Sequence, residues 1–348
     1  MHYKKLGKSD LKVSSYCLGT MTFGETTDEI VAHEQINESI EKGINFIDTA
    51  EMYPTCPIRK ETTGKTEKII GNWIEKNRDK RKNIILATKV VGNGFNFIRD
   101  GGPINKDSIK KAIQGSLKRL KTDYIDLYQL HWPNRGSYHF RAYWDYNPSK
   151  QNIYKINDEY LEIIQTLNNL KNNGIIRAIG LSNDTCWGVM KFLESLKGFK
   201  NLCIASIQNE YSLMCRLFDY DFNELALNEN INLLAYSPLA RGLLTGKYLD
   251  GNIPEGSRLS RDDKIKKIRN KKSDSAVRDY CALAKKYEID PLHLALAFCN
   301  QRPFMGSVIF GATNANQLRR ILKGVDLKLN KEILEEIKHL HKKHPLTF

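Results

Sequence analysis

Eight short apolar runs recur along the 348-residue chain, each followed by a longer segment with helical spacing, and this alternation limits the folds open to it. The runs are SYCLGTM (15–21), NFIDTA (45–50), IILATKV (84–90), YIDLYQLHW (124–132), IRAIGLSN (176–183), IASIQNEY (204–211), INLLAYSPL (231–239) and SVIFGAT (307–313). Strands apolar on both faces belong in a parallel sheet covered by helices. The segments 28–42, 66–79, 107–120, 158–173, 185–197, 219–229, the pair 274–287 and 291–301, and 315–323 space their apolar residues as helices do. Asp107 or Ser108 and Asn157 or Asp158 are the expected N-caps, and Gly43 and Gly174 stand where a helix end favours glycine. Eight strand-then-helix repeats predict an α/β fold, a closed (β/α)8 TIM barrel spanning 1–348 as a single domain. An open doubly wound sheet would more often carry an early G-x-G-x-x-G, and GNGFNF at 92–97 lacks the third glycine. GLLTGKY at 242–248 has one residue too few between its glycines for a P-loop and no Ser or Thr after Lys247.

Composition narrows the functional classes. A hydrophobic share of 41% and a charged share of 27% are those of a folded, soluble chain. Early lysines without an apolar run behind them do not make a secretory signal, and no segment approaches the length of a membrane span. Seven scattered cysteines with no C-x-x-C pair fit reduced thiols, so a cytoplasmic location is expected. The net charge of +14 gathers in KNRDKRK (76–82), KIKKIRNKK (264–272) and HKKH (341–344). None carries interleaved aromatics, so these runs read as solvated helix ends and loops, and no nucleic-acid partner is expected. His339, His341 and His344 do not share one helical face and make a poor metal site.

Two long interruptions follow strands and would emerge at the barrel's active face: 133–157, rich in aromatics, and 240–273, strongly basic. The polar residues closing the strands are the informative ones. The second strand ends in Asp48, the third in Lys89 and the fourth in His131, while Tyr53 follows the second. Singly, each has a plain structural explanation: Asp48 a helix cap, Lys89 a solvated strand end, Tyr53 loop packing, His131 a hydrogen-bonded core imidazole. Together, four ionisable groups bordering apolar strands must be paired if buried. An ammonium lowers the pKa of a nearby phenol, so Lys89, held by Asp48, would tune Tyr53 as a general acid while His131 orients a carbonyl oxygen.

With these flanks, Asp48, Tyr53, Lys89 and His131 resemble the catalytic tetrad of the aldo-keto reductase superfamily, residue by residue. The resemblance runs from KLGKSDLKVSSYCLGTMTFG through DLYQLHWP and IRAIGLSN to GATNANQL. YSPLARGLLTGKYLDG and the insertion after the fourth strand are most similar to the Tas-like reductases, a branch related to potassium-channel β-subunits. The resemblance implies NADPH-dependent reduction of aldehydes or ketones without a Rossmann fold. It also implies Ser182, Asn183 and Gln208 on the carboxamide, Tyr236 stacked on the nicotinamide, and Gly19, Thr20 and Met21 beside the ring. Ser237, Pro238, Leu239, Arg241, Gly242 and Lys247 match the pyrophosphate segment, and Gly311, Thr313 and Gln317 the adenosine end. Lys247, Arg258, Arg319 and Arg320 are candidates by charge for a 2′-phosphate. Ile321 departs from the family's usual Asn at a position linked to the adenine. Trp132 and the aromatics of 138–146 suit an apolar or aromatic carbonyl substrate, or pack the loop onto the barrel. Two other classes stay open: a cofactor-binding, redox-sensing or channel-associated subunit with little turnover, and a barrel lyase or aldolase in which Lys89 forms a Schiff base.

Overall fold

The computed structural model describes residues 1–261 and 269–347. It opens with an antiparallel hairpin of β1 (Tyr3–Lys5) and β2 (Lys12–Ser14), which the periodicity analysis misses because strands of three residues are too short to show alternation. The barrel strands follow: β3 (Tyr16–Gly19), β4 (Phe46–Asp48), β5 (Ile85–Val90), β6 (Ile125–Leu130), β7 (Ile176–Ser182), β8 (Ile204–Glu210), β9 (Asn232–Tyr236) and β10 (Met305–Phe310). They pair in parallel in chain order, and β10 closes on β3. This is the expected TIM barrel. The hairpin plugs its N-terminal end, where Leu6, Leu11 and Val13 pack on Cys17, Phe46, Ala205 and Leu234 from the barrel interior.

Around the strands lie α1 (Glu29–Glu41), α2 (Lys65–Lys76), α3 (Lys106–Leu120), α4 (Ile153–Asn172), α5 (Cys186–Ser195), α6 (Asp221–Glu229), a turn of helix α7 (Arg258–Arg261), α8 (Lys271–Lys286), α9 (Pro291–Asn300), α10 (Ala315–Leu322) and α11 (Lys331–Lys343). Ile36, Trp73, Ile113, Ile164 and Phe192 bury their inner faces against the sheet. Gly43 and Gly174 take left-handed φ just past α1 and α4, as helix ends favour. None of the described helices is long and apolar enough to cross a membrane.

Two caps differ from expectation. The cap of α3 is Asn105, in a reciprocal capping box with Ser108, so the helix starts ahead of Asp107. The cap of α4 is Asn152, whose side chain accepts the Lys155 N–H, and this shortens the aromatic loop from the expected end at 157. In both places an asparagine earlier in the chain satisfies the first amides, and Ile156 lies buried in the part of α4 so added. The HKKH run ends α11, a helix absent from the sequence reading. Residues 264–268 of the KIKKIRNKK run lie outside the described residues.

Among the described residues of these basic runs, one is buried. Arg81, in the KNRDKRK run, is only 6% exposed; its Nη1 lies 2.9 Å from Asp126, and it donates to the Tyr124 carbonyl at 2.9 Å. Asp126 is fully buried, accepts the Leu86 N–H at 3.0 Å and also pairs with Arg177 at 2.6 Å. A charge run is a correct reading of composition, but it cannot tell which member finds a buried carboxylate. Arg81→Ala leaves Asp126 half-compensated and is expected to cost about 3 kcal/mol, the low end for a broken buried pair because Arg177 remains. Urea unfolding of the variant against wild type checks this.

Candidate active site

Strand alternation builds the site. Phe46, Ala87 and Leu127 point into the barrel, so two residues further on Asp48, Lys89 and Gln129 point inward as well. Register sets Lys89 beside Gln129 and Ser182 beside Gln208. Lys89 Nζ lies 2.6 Å from Asp48 Oδ2 and donates to the Thr49 carbonyl at 2.8 Å. Asp48 Oδ1 accepts from Gln208 Nε2 at 2.8 Å and from Gln129 Nε2 at 3.1 Å. Lys89 is 0% and Asp48 3% exposed, and charges so deep are tolerable only when paired and fully hydrogen-bonded. Lys89 is therefore no solvated strand end, and Asp48 no helix cap.

Past Asp48 the chain turns. The Tyr53 N–H donates to Ala50 O at 3.0 Å, and the Tyr53 carbonyl accepts from the Gly64 and Thr66 amides at the start of α2. The turn sets the Tyr53 ring centroid 5.0 Å from Lys89 Nζ and 5.9 Å from the His131 ring, edge-on. From the sequence, Lys89 is expected to lower the phenol pKa. Burial is the larger effect, and although Lys89 opposes it the net shift is upward, so Tyr53 stays protonated at neutral pH. Burial likewise works against charge on Lys89, but Asp48 and Tyr53 together outweigh it and hold the ammonium above its usual range. His131 goes the other way: burial first, then the charge of Lys89, drive it well below the usual imidazole value. Its Nδ1 is buried and has no partner among the described residues, which favours the proton on Nε2, since a bare lone pair costs less than a bare N–H.

The expected nicotinamide residues form one network with this set. Asn183 Nδ2 donates to the His131 carbonyl and to Ser182 Oγ, both at 3.0 Å, and Tyr236 OH donates to Asn183 Oδ1 at 2.8 Å. Ser182 Oγ donates to the Gln208 carbonyl at 3.0 Å. Gly19 pairs with Asp48 in register, Thr20 Oγ1 donates to the Asp48 carbonyl at 2.8 Å, and the Met21 carbonyl accepts from Thr55. After β9 the backbone of Ser237, Ala240, Arg241 and Gly242 is left-handed, so the stretch with Pro238 and Leu239 coils tightly at the strand mouth. Lys247 follows, its Nζ 5.0 Å from the Tyr248 ring centroid.

Arg241 lies among other charged side chains. Arg241 is pushed below its usual range by burial, and while Glu210 opposes that, Arg258 and Arg141 reinforce it. Of the residues expected at the adenosine end, Gln317 folds back so that its Oε1 accepts from the Thr313 N–H at 3.1 Å and Oγ1 at 3.2 Å, and Gly311 is exposed. Arg319 and Arg320 are already paired, with Glu38 at 2.7 Å and Asp290 at 2.6 Å. Ile321 is 2% exposed and faces the core.

The loop after β6 lies as a strap over the ends of β7 and β8, anchored at every second residue. Arg135 pairs with Asp184, Ser137 Oγ donates to Asn183 O at 2.7 Å, His139 Nε2 is 2.8 Å from Asp184 O, and Arg141 Nη2 is 2.6 Å from Glu210 Oε1. Its aromatics divide. The Tyr138 ring packs on those of Tyr143 and Tyr146, and Trp144 is 78% exposed. Phe140 alone among them packs on Trp132, edge-on at 5.9 Å, with Phe95 on another side at 6.1 Å. Sequence reasoning missed Gln129, Glu51, Arg99 and Glu210. Gln129 was within reach, since it stands two residues before His131 on the same strand face.

An eight-stranded parallel barrel gathering an ionisable cluster at its C-terminal mouth has the anatomy of a TIM-barrel enzyme. The chain belongs to the aldo/keto reductase family, whose model matches residues 16–342, and is an oxidoreductase of that family. It is 39% identical over 345 residues to the protein tas of Escherichia coli strain K12, covering 98% of each chain. An uncharacterized oxidoreductase, YrpG, of Bacillus subtilis strain 168 is 33% identical over 96% of this chain and 94% of its own. A probable voltage-gated potassium channel subunit beta of Arabidopsis thaliana is 30% identical over 99% and 98%.

The buried strap histidine makes stability pH-dependent. Burial lowers His139 from 6.5 to about 4, with its bond to the Asp184 carbonyl acting the other way. The unfolded chain therefore binds this proton first as pH falls. The contribution is full above about pH 6.5 and is lost as pH falls through about 4, on the order of 3 kcal/mol in all, and His131 adds to it with the same sign. Urea unfolding at neutral and at mildly acidic pH is expected to show this slope, with His139→Gln removing part of it.

Proposed function

We propose that the protein is a cytoplasmic, NADPH-dependent reductase that converts aldehydes or ketones to alcohols, working as a single barrel unit. The observation carrying this reading is the buried Lys89–Asp48 pair set against a protonated phenol and a neutral imidazole at one strand mouth. The nicotinamide, when bound, supplies the hydride. Tyr53 gives its proton to the carbonyl oxygen as negative charge develops there, Lys89 stabilises the phenolate left behind, and Asp48 keeps Lys89 charged and in place. Neutral His131 offers its Nε2–H to the same oxygen and so orients the substrate.

The remaining roles follow from donor chemistry. Gln208 turns its amide nitrogen to Asp48 and Gln129, which leaves its carbonyl oxygen for the carboxamide N–H, with Ser182 and Asn183 beside it. Tyr236 presents its ring to the nicotinamide, and Gly19, Thr20 and Met21 border it. Ser237, Pro238, Leu239, Arg241, Gly242 and Lys247 wrap the pyrophosphate, while Gly311, Thr313 and Gln317 take the adenosine end. Lys247, Arg258, Arg319 and Arg320 are candidates by charge for the 2′-phosphate, and this charge favours NADPH over NADH. Trp132, flanked by Phe95 and Phe140, suits an apolar or aromatic carbonyl compound. Likeness to the Arabidopsis channel subunit supports a second reading, a cofactor-binding subunit with little turnover.

Quenching of NADPH fluorescence on binding, followed by turnover of a reactive aromatic aldehyde, separates the two. Turnover in the wild type, with kcat falling about 10² to 10⁴-fold in Tyr53→Phe at unchanged cofactor affinity, is the expected result. A wild-type rate in Tyr53→Phe removes Tyr53 as the acid. Tight binding with negligible turnover favours the subunit.

A further inference from the structure

Between Asp48 and Tyr53 stands a third acid, Glu51, which the proposed chemistry does not use. It is 5% exposed and held by Arg99 through two bonds, Nη1 to Oε2 at 2.6 Å and Nη2 to Oε1 at 2.7 Å. We propose that the Glu51–Arg99 pair is the positioning device of the site, setting the Tyr53 phenol against Lys89. The inference rests on Tyr53 being the acid.

The β4–β5 ladder continues beyond Asp48: the Thr49 N–H donates to Ala87 O at 2.9 Å and the Glu51 N–H to Lys89 O at 3.3 Å. At the next step the chain turns away at Glu51 to carry Tyr53 back over the mouth, and regular pairing ends. The Val91 N–H is taken instead by the Glu51 carboxylate, at 2.6 Å. Arg99 closes the arrangement from the loop after β5, donating through Nη2 to Val91 O at 3.0 Å. One guanidinium thus ties the segment bearing Tyr53 to the segment bearing Lys89 where regular pairing stops.

Two further observations agree. Arg99 and Asp100 both have left-handed φ, 47° and 56°, a conformation that persists in such residues only when the surroundings over-determine it. The pair also borders a separate small cluster of Ala50, Met52, Val91 and Ile98, against which Tyr53, Phe95 and Trp132 pack. Loss of Arg99 would leave a buried carboxylate next to the turn, and the turn would shift to hydrate it. The cofactor residues Ser182, Asn183 and Tyr236 lie on other strands and would keep their places.

The test compares Arg99→Ala, Arg99→Lys, Glu51→Gln and Tyr53→Phe for kcat, NADPH affinity and thermal unfolding. Arg99→Ala is expected to lose kcat about 10²-fold, the cost of a misplaced catalytic group, with NADPH affinity unchanged. Millimolar guanidinium is expected to restore much of the rate, ammonium at equal ionic strength is not, and Arg99→Lys should fall between, because a point charge cannot replace a planar fork. A wild-type kcat in Arg99→Ala alongside an inactive Tyr53→Phe overturns the inference and leaves the reductase reading standing. A Tyr53→Phe variant at the wild-type rate overturns the reading itself. Joint loss of kcat and NADPH affinity that guanidinium does not reverse makes the pair structural only and overturns the proposal. Should Arg99→Ala fail to fold, Glu51→Gln carries the same comparison, and a wild-type kcat there overturns it.

Discussion

The structure turns on one ion pair, Lys89 with Asp48, buried at the strand ends that form the barrel's mouth. Removing two charges from water costs several kcal/mol per ion, and their attraction offsets this only when every remaining donor and acceptor is met. Here β4 and β5 supply the ions, Thr49 a carbonyl, and β6 and β8 the amides of Gln129 and Gln208. Those partners exist only if the strands are in register, so the pair and the barrel's closure depend on each other. An apolar pair would serve stability at least as well, which makes the pair's use at the mouth the better account of its presence.

That use is a balance of opposed effects. Burial keeps the Tyr53 proton on, Lys89 pulls towards releasing it, and burial is the larger in the protein alone. In the proposed reaction Lys89 would matter most once negative charge has formed on the oxygen, stabilising the product of proton transfer more than it acidifies the resting phenol. His131, kept neutral by the same burial and the same ammonium, can donate a hydrogen bond without itself giving up a charge. Burial and one cation thereby leave a protonated phenol and a neutral imidazole in one cluster.

The two sides of the mouth are built differently. Between β4 and β5 the ladder runs past Asp48 and is finished by side chains, Glu51 and Arg99, whereas over β7 and β8 a strap is pinned at alternate residues from Arg135 to Arg141. The second device ties the strap to Glu210 at the end of β8 through Arg141. The first carries no net charge and suits fixed geometry.

What the sequence alone determined follows from local period. Alternation of strand and helix spacing specifies an eightfold barrel, and parity along each strand puts Asp48, Lys89 and His131 at its inner rim, because period two and period 3.6 are properties of neighbouring residues. Tyr53 could be placed near them, though the net direction of its shift depends on burial that no local pattern reports. Only the tertiary structure decided who pairs with whom. Gln208 meets Asp48 across 160 positions, Arg99 meets Glu51 across 48, and Arg81 leaves a solvated-looking run for a buried carboxylate. Such contacts are set by inter-strand register and by the path of a loop through space, which residues far apart in the chain acquire together only on folding.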